Sequence, residues 1–170
     1  MSCPDDVKLN PNWNQSLIEQ VKRHFNYDPE TGIFTSNVSK GKKVGHLSST
    51  KYICLSISDT KLLKAHQVAF AIMKGFVPSA IDHIDLDRTN NKWSNLRIAT
   101  PSQNQGNTTK QKNNKSGYKG VHWDNHKSSW MMSICKNRIT YRSSHNTKEE
   151  AYAAYCTMAE KLQGEFANVQ

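Results

Sequence analysis

Leu17, Val21 and Phe25 recur every four residues, which predicts a short helix over roughly 15–25 with one apolar face. Tyr27-Asp-Pro-Glu-Thr-Gly32 reads as a turn by its proline and glycine, and Ile33-Phe34-Thr35 begins a strand. Further on the period changes from four to two. Tyr52, Cys54, Ser56 and Ser58 alternate with Ile53, Leu55 and Ile57, so the aliphatic set lies on one face of a half-buried strand. Ser58-Asp59-Thr60-Lys61 then turns the chain into Leu62–His66, giving a hairpin. Val68, Ala71, Ile72 and Met73 predict a short helix that stops at Gly75, and a strand starts at Ala80-Ile81.

The apolar pattern is lost over residues 107–117, NTTKQKNNKSG, which hold no large apolar side chain. Such a stretch cannot bury enough surface to fold alone and reads as a linker. It divides the chain into residues 1–106 and 118–170. The second part predicts strands at Tyr118–Trp123, Ser129–Cys135 and Ile139–Ser143, then a helix opened by a capping box, Thr147 with Glu150. Ala151, Tyr155, Met158 and Leu162 form its apolar stripe, and Gly164 closes it. One helix can cover only one face of a three-stranded sheet, so the other face is left for a partner. The fold class expected is α+β, two small layered domains.

Composition adds to this picture. A hydrophobic share of 36% is low for one large core and sufficient for two thin layers. Lys+Arg 23 against Asp+Glu 14 gives +9, a balance suited to a polyanion such as nucleic acid. Residues 1–106 carry 13 basic and 9 acidic side chains and residues 107–170 carry 10 and 5, so both parts could face one polyanion. Cys3, Cys54, Cys135 and Cys156 lie far apart without a C-x₂-C pair, which argues against a structural zinc and against a disulfide framework. The polar start, MSCPDDVKLN, is not that of a signal peptide, and no apolar run could span a bilayer. A cytoplasmic protein is expected.

The chemistry concentrates in IDHIDLDRTNNKWSNLRIATPSQN, with the spacing D-H-x₁₁-N-x₈-N. The Asp82 carboxylate and the Asn104 amide oxygen are hard ligands suited to Mg²⁺, and His83 could take a proton from water near neutral pH. At a strand end Asp82 and His83 point to opposite faces, so one can meet a metal and the other a water. Asp85, Asp87, Asn90 and Asn91 make the next loop polar and turn-prone. Asn95 fits a residue whose amide ties that loop back and holds His83 in place. A helix over Gln103-Asn104 would complete a β-β-α-metal arrangement. Taken singly these residues are ordinary, since an Asp-His pair is common and Asn104 could be a helix cap. The joint spacing, with D-R-T-N-N-x₃-N-L-R between, is specific.

This block resembles the HNH endonuclease motif in its HNN form, as found in homing endonucleases of phages and introns. NYDPETGIF, the strand pair near 52–66 and AHQVAFAIMKGFVP are similar to the N-terminal half of phage members. The resemblance implies hydrolysis of double-stranded DNA, with His83, Asp82, Asn95 and Asn104 catalytic and Asp82 and Asn104 holding Mg²⁺ or Mn²⁺. It implies no small-molecule cofactor, a monomer, and a bacterial host cell if the source is a phage. The family often has Arg after its upstream His; here it is Gln67, and His66 is read equally as packing or as a phosphate contact.

From Tyr118 onward, YKGVHWD, SWMMSI and the AYAAY helix resemble the Apetala2-type DNA-binding domain, whose sheet enters the major groove. Lys119 and His122 stand at contact positions usually held by Arg. Trp123 and Trp130 lie near aromatic positions, with Trp130 read also as core. Ser133 and Cys135 replace charged residues, so the plant sequence preference does not transfer. Lys127, Lys136, Arg138 and Arg142 are expected phosphate contacts. The alternative from another class is a DNA-binding regulator whose nuclease half is inactive.

Overall fold

The computed structural model describes residues 7–39, 41–58 and 61–169; Cys3 and the Asp59-Thr60 tip of the expected turn lie outside them. The chain forms two compact units, residues 1–100 and 101–170. The division falls six residues before the expected domain end at 106. Pro101–Gly106 is helical and its Gly106 packs on Gln163 of the second unit. Asn107 and Ser116, inside the expected linker, are both buried.

In the first unit Asn14 caps α1 (Gln15–His24), its side chain accepting from the Leu17 N–H at 2.9 Å. The apolar face of α1 runs through Leu17, Ile18 and Val21, as the four-residue period predicts. Next come β1 (Phe25–Tyr27), β2 (Phe34–Ser36) and β3 (Lys43–Val44), an antiparallel sheet. A second antiparallel sheet holds β4 (His46–Leu47), β5 (Ile53–Ser58) and β6 (Lys61–Lys64). Leu55 is buried in the core and Ile53 and Ile57 pack against it, but Cys54 on the opposite face is buried too. That strand is therefore covered on both faces near its start, where one-sided burial was expected. α2 (Ala65–Lys74) packs on α1 and stops at Gly75, whose φ of 75° gives the left-handed C-terminus expected there. The unit closes with the hairpin β7 (Ile81–His83) and β8 (Leu96–Ile98).

One glycine joins the unit's opening turn to that hairpin. Gly32 has φ +71°, and a Cβ there would lie 2.5 Å from the backbone of Asn91 and Lys92. The Trp93 N–H also donates to Pro29 O at 2.9 Å. The 28–33 turn is thus seated against the β7–β8 loop, which it braces from outside.

The second unit begins with α3 (Pro101–Gly106), followed by β9 (Val121–Asp124), β10 (Ser129–Lys136) and β11 (Ile139–His145) in the antiparallel order β11-β10-β9. α4 (Lys148–Gln163) lies across the sheet, and the capping box of Thr147 and Glu150 is formed in full. Its buried residues are Ala151, Tyr155 and Ala159, while Met158 and Leu162 pack half-buried beside them. The stripe is turned slightly from the expected one, with Ala159 fully buried and Met158 and Leu162 flanking it. Val121, Met132 and Ile134 meet it from the strands. Among the described residues no helix is long and apolar enough to cross a membrane.

Candidate active site

β7 supplies Asp82 and His83, respectively 3% and 5% exposed. The hairpin register sets Asp82 opposite Arg97, whose Nε and Nη2 donate to Asp82 Oδ2 at 2.9 and 2.8 Å. A carboxylate this deeply buried needs such a partner, because burial of an uncompensated charge costs several kcal/mol. Arg97 therefore lets an anion sit at this point of the strand.

The loop after His83 is tied by Asn95. Its Oδ1 accepts from the Asp85 N–H at 3.0 Å, while its Nδ2 donates to Asp85 Oδ1 and to Asn90 O, both at 2.8 Å. The Ile84 N–H donates to Asn95 O across the hairpin at 3.0 Å. Burial works against charge on Asp85, yet the donated bonds from Asn90, Asn95 and the Asp87 N–H hold its carboxyl below the usual carboxylate value. The tie expected of Asn95 is present, acting on the loop that begins one residue after His83.

One direct neighbour of the imidazole is Asn91. Its Oδ1 lies 3.4 Å from His83 Nε2, its Nδ2 donates to Thr89 O at 3.0 Å, and its own carbonyl accepts from Tyr27 Oη at 2.7 Å. Burial pushes the His83 pKa down, with Asn91 and the carboxylates of Asp85, Asp82 and Asp87 opposing. The net direction is downward, which favours the neutral imidazole, the form able to accept a proton.

His66, on the first turn of α2, meets the His83 ring edge-on at a centroid distance of 5.1 Å. It is 6% exposed, and among the described residues its Nδ1 has no hydrogen-bond partner. Burial, with His83 and Lys64 adding cationic repulsion, pushes its pKa down to about 3. The unfolded chain takes up a proton on this residue below about pH 6.5, which the folded chain refuses until about pH 3. The contribution to stability is therefore complete above pH 6.5 and is lost as pH falls from there, at up to about 1.4 kcal/mol per pH unit. His66→Leu should lose less stability than the wild type between pH 7.5 and pH 5. Urea titrations at the two pH values measure this, and equal losses would contradict it.

Asn104, the remaining expected site residue, lies on α3 in the second unit. In chain order α3 follows β7 and β8.

The expected DNA-contact residues are spread by strand parity. Residues paired directly across antiparallel strands share a face. Trp123–Trp130, Val121–Met132 and Ile134–Tyr141 therefore lie on the α4 side, and His122–Met131 and Ser133–Arg142 lie on the other. Of the eight expected contacts, His122 and Arg142 project from the face opposite α4, and both are exposed. Trp123 and Trp130 form an edge-to-face pair on the helix side, at 5.3 Å. Lys136 shares that side through its pairing with Ile139. Lys127 and Arg138 sit in the turns at opposite ends of the sheet, Arg138 at φ 68°.

Lys119 is held within the unit: its Nζ donates to Gly106 O at 2.8 Å and to Asn168 O at 3.0 Å. Burial pushes its pKa down. An ammonium tied to two carbonyls joins the ends of the unit, and we propose this structural role for Lys119 in place of a base contact. Lys119→Met should lower the unfolding midpoint and leave the salt dependence of DNA binding unchanged. Arg142→Ala should instead leave the midpoint in place and reduce the log–log salt slope by about one. Thermal melts and salt-dependent anisotropy separate the two residues, and matching behaviour of both variants would contradict the assignment.

Arg97, Asn91 and Tyr52 were not singled out from the sequence. Arg97 was reachable, since Asn95 paired back to the strand implies a hairpin that sets Arg97 opposite Asp82. Tyr52 gave no signal, because its approach to His83, 6.1 Å between ring centroids, joins segments distant in sequence.

Residues 63–105 match the family model of the HNH endonuclease, a range that includes Asp82, His83, Asn95 and Asn104. The chain is 40% identical over 113 residues to the uncharacterized HNH endonuclease L560 of Acanthamoeba polyphaga mimivirus, covering 64% of this chain and 58% of the relative. It is 28% identical over 109 residues to Protein 3.8 of Escherichia phage T7, covering 63% of this chain and 90% of the relative. The chain thus spans little more than half the length of the mimivirus relative. A solved structure described as DNA binding and cleavage by the HNH homing endonuclease I-HmuI aligns with a TM-score of 0.40 at 18% identity, over 79% of this chain and 76% of that one. Residues 63–105 are thus the part of the chain that is similar to HNH endonucleases.

Proposed function

We propose that this HNH segment makes the chain a divalent-metal-dependent DNA endonuclease of the homing type, with the second unit adding affinity for the duplex. The observation that carries the reading is a buried His83 beside Asp82, at the mouth of a loop knotted by Asn95, inside the matched segment.

The donor set suits a hard cation. Asp82 offers an anionic oxygen and Asn104 a neutral one, and Mg²⁺ or Mn²⁺ takes such oxygens while keeping several waters. Among the described residues no three His, Cys, Asp or Glu side chains gather into a separate metal cluster. Asp82 and Asn104 would hold the ion, which when bound supplies positive charge to the phosphate and to the leaving 3′ oxygen. The remaining steps belong to the chain's own residues. Neutral His83 takes the proton of the attacking water. Asn91 fixes its ring, and Asn95 fixes the loop that carries Asn91. Arg97 compensates Asp82 until substrate arrives.

In the second unit, support comes from a three-stranded sheet covered by one helix, the resemblance to the Apetala2-type domain, and the basic excess of residues 107–170. Arg142 and His122 would face the duplex. A monomer with one such site would cut one strand per encounter.

A second reading, a DNA-binding regulator with an inactive nuclease half, draws on the Arg97 ion pair that already occupies Asp82 Oδ2. A labelled duplex incubated with Mg²⁺ or with a chelator separates the two. Hydrolysis should appear with Mg²⁺ alone and leave 5′-phosphate and 3′-hydroxyl ends. Uncut DNA under both conditions, or 3′-phosphate ends, would contradict the proposed chemistry.

A further inference from the structure

We infer that Arg88 and Lys64, both held over the ring of Tyr52, form a clamp for the phosphodiester backbone that seats the DNA strand beside His83. The inference rests on the nuclease reading and deepens it, since it names how the substrate is held at that site.

The cluster is built wholly within the first unit. Lys64 Nζ lies over the Tyr52 ring at 4.5 Å from its centroid, and Arg88 Cζ lies over it at 4.9 Å. The Arg88 guanidinium is further fixed by Nη1 donating to Thr50 O at 3.4 Å. Both cations are exposed, and among the described residues neither has an ion pair with a carboxylate. Drawing two positive groups to one aromatic ring costs mutual repulsion, which the ring's negative faces offset only in part. An anion received between them would relieve the remainder.

Position makes a DNA phosphate the fitting anion. The Tyr52 ring also touches the two histidines, with centroids 5.1 Å from His66 and 6.1 Å from His83. One side chain therefore links the cations to the proposed general base. Arg88 belongs to the β7–β8 loop, and Lys64 ends β6 immediately before the α2 turn that carries His66. The two cations thus flank the elements that bring His66 and His83 together, Lys64 just before α2 and Arg88 in the loop after β7. Exposed cations beside an aromatic platform are the usual means of tracking a nucleic-acid backbone. Contacts to phosphate position a strand without reading its sequence.

The test uses the full chain. Fluorescence anisotropy on two duplexes of unrelated sequence is followed against NaCl concentration with a chelator present. Single-turnover cleavage with Mg²⁺ is then measured across DNA concentration. Arg88→Ala and Lys64→Ala should each reduce the log–log salt slope by about one and weaken both duplexes alike. Each should raise the DNA concentration at half-saturation several-fold and leave the rate at saturation within about threefold of wild type. Tyr52→Phe keeps the ring and should stay near wild type, whereas Tyr52→Leu should behave like the loss of a cation.

Thermal melts verify that the variants fold, as expected for substitution of exposed cations. Unchanged slopes and half-saturation in both cation variants would overturn the clamp. A wild-type chain that binds but does not cut would overturn the nuclease reading alone, with the salt slopes still deciding the clamp. Absence of any salt-dependent DNA binding by the wild type would overturn both.

Discussion

His83→Ala should slow single-turnover cleavage by at least about 100-fold while leaving DNA affinity near wild type, the range expected on losing a general base. The imidazole is suited to the task by its surroundings. Burial lowers its proton affinity and favours the neutral form, Asn91 holds one ring nitrogen, and His66 closes against its side. Affinity should persist because His83 is 5% exposed and adds no fixed positive charge. His83→Gln, a less severe change in volume, should show a comparable loss. Cleavage within a few-fold of wild type in both variants would remove His83 from the role.

Asn95→Ala should lower both stability and rate. The amide makes three hydrogen bonds in a site 8% exposed, and truncation leaves the Asp85 N–H and the Asn90 carbonyl without this partner. These hydrogen bonds are only part-buried, so a loss of about 1–3 kcal/mol is expected for the whole set. The loop carrying Asn91 would then loosen, and the cleavage rate should fall more than tenfold even where the variant remains folded. Urea unfolding and single-turnover rates at 15 °C measure the two effects. An unchanged rate in a destabilised variant would confine Asn95 to a structural role.

The part of the site set by spacing was legible. Asp82 and His83 precede a loop of Asp and Asn residues, and Asn95 falls where a carboxamide can close it, so local geometry fixed both the hairpin and the tie. Two helix ends were legible for the same reason: Gly75 and the Thr147–Glu150 box act within four residues of their partners. Contacts made between distant segments were not. Tyr52 reaching His83, and Gly32 lying against Asn91, depend on how separate elements pack, and no periodicity encodes that.

The second unit shows a different limit. Listing basic residues by segment suggested one cluster, but alternation along β10 and β11 sends Arg142 to one face and Lys136 to the other. The two-residue turn at Asn137-Arg138, with both φ values positive, then carries Arg138 off the strands altogether. Lys119 lies before β9 and is drawn to Gly106 and Asn168, partners 13 and 49 residues away. Strand parity was available from the sequence; the end-to-end tie was not.

The central claim is that a metal-dependent nuclease centre is built on Asp82 and His83. Supercoiled plasmid incubated with the full chain and Mg²⁺, beside His83→Ala purified in the same way, tests it most directly. The account predicts relaxed circles from the wild type, suppressed by chelator and by the substitution. Plasmid left supercoiled by the wild type with Mg²⁺ and with Mn²⁺, or relaxed equally by both proteins, would contradict it.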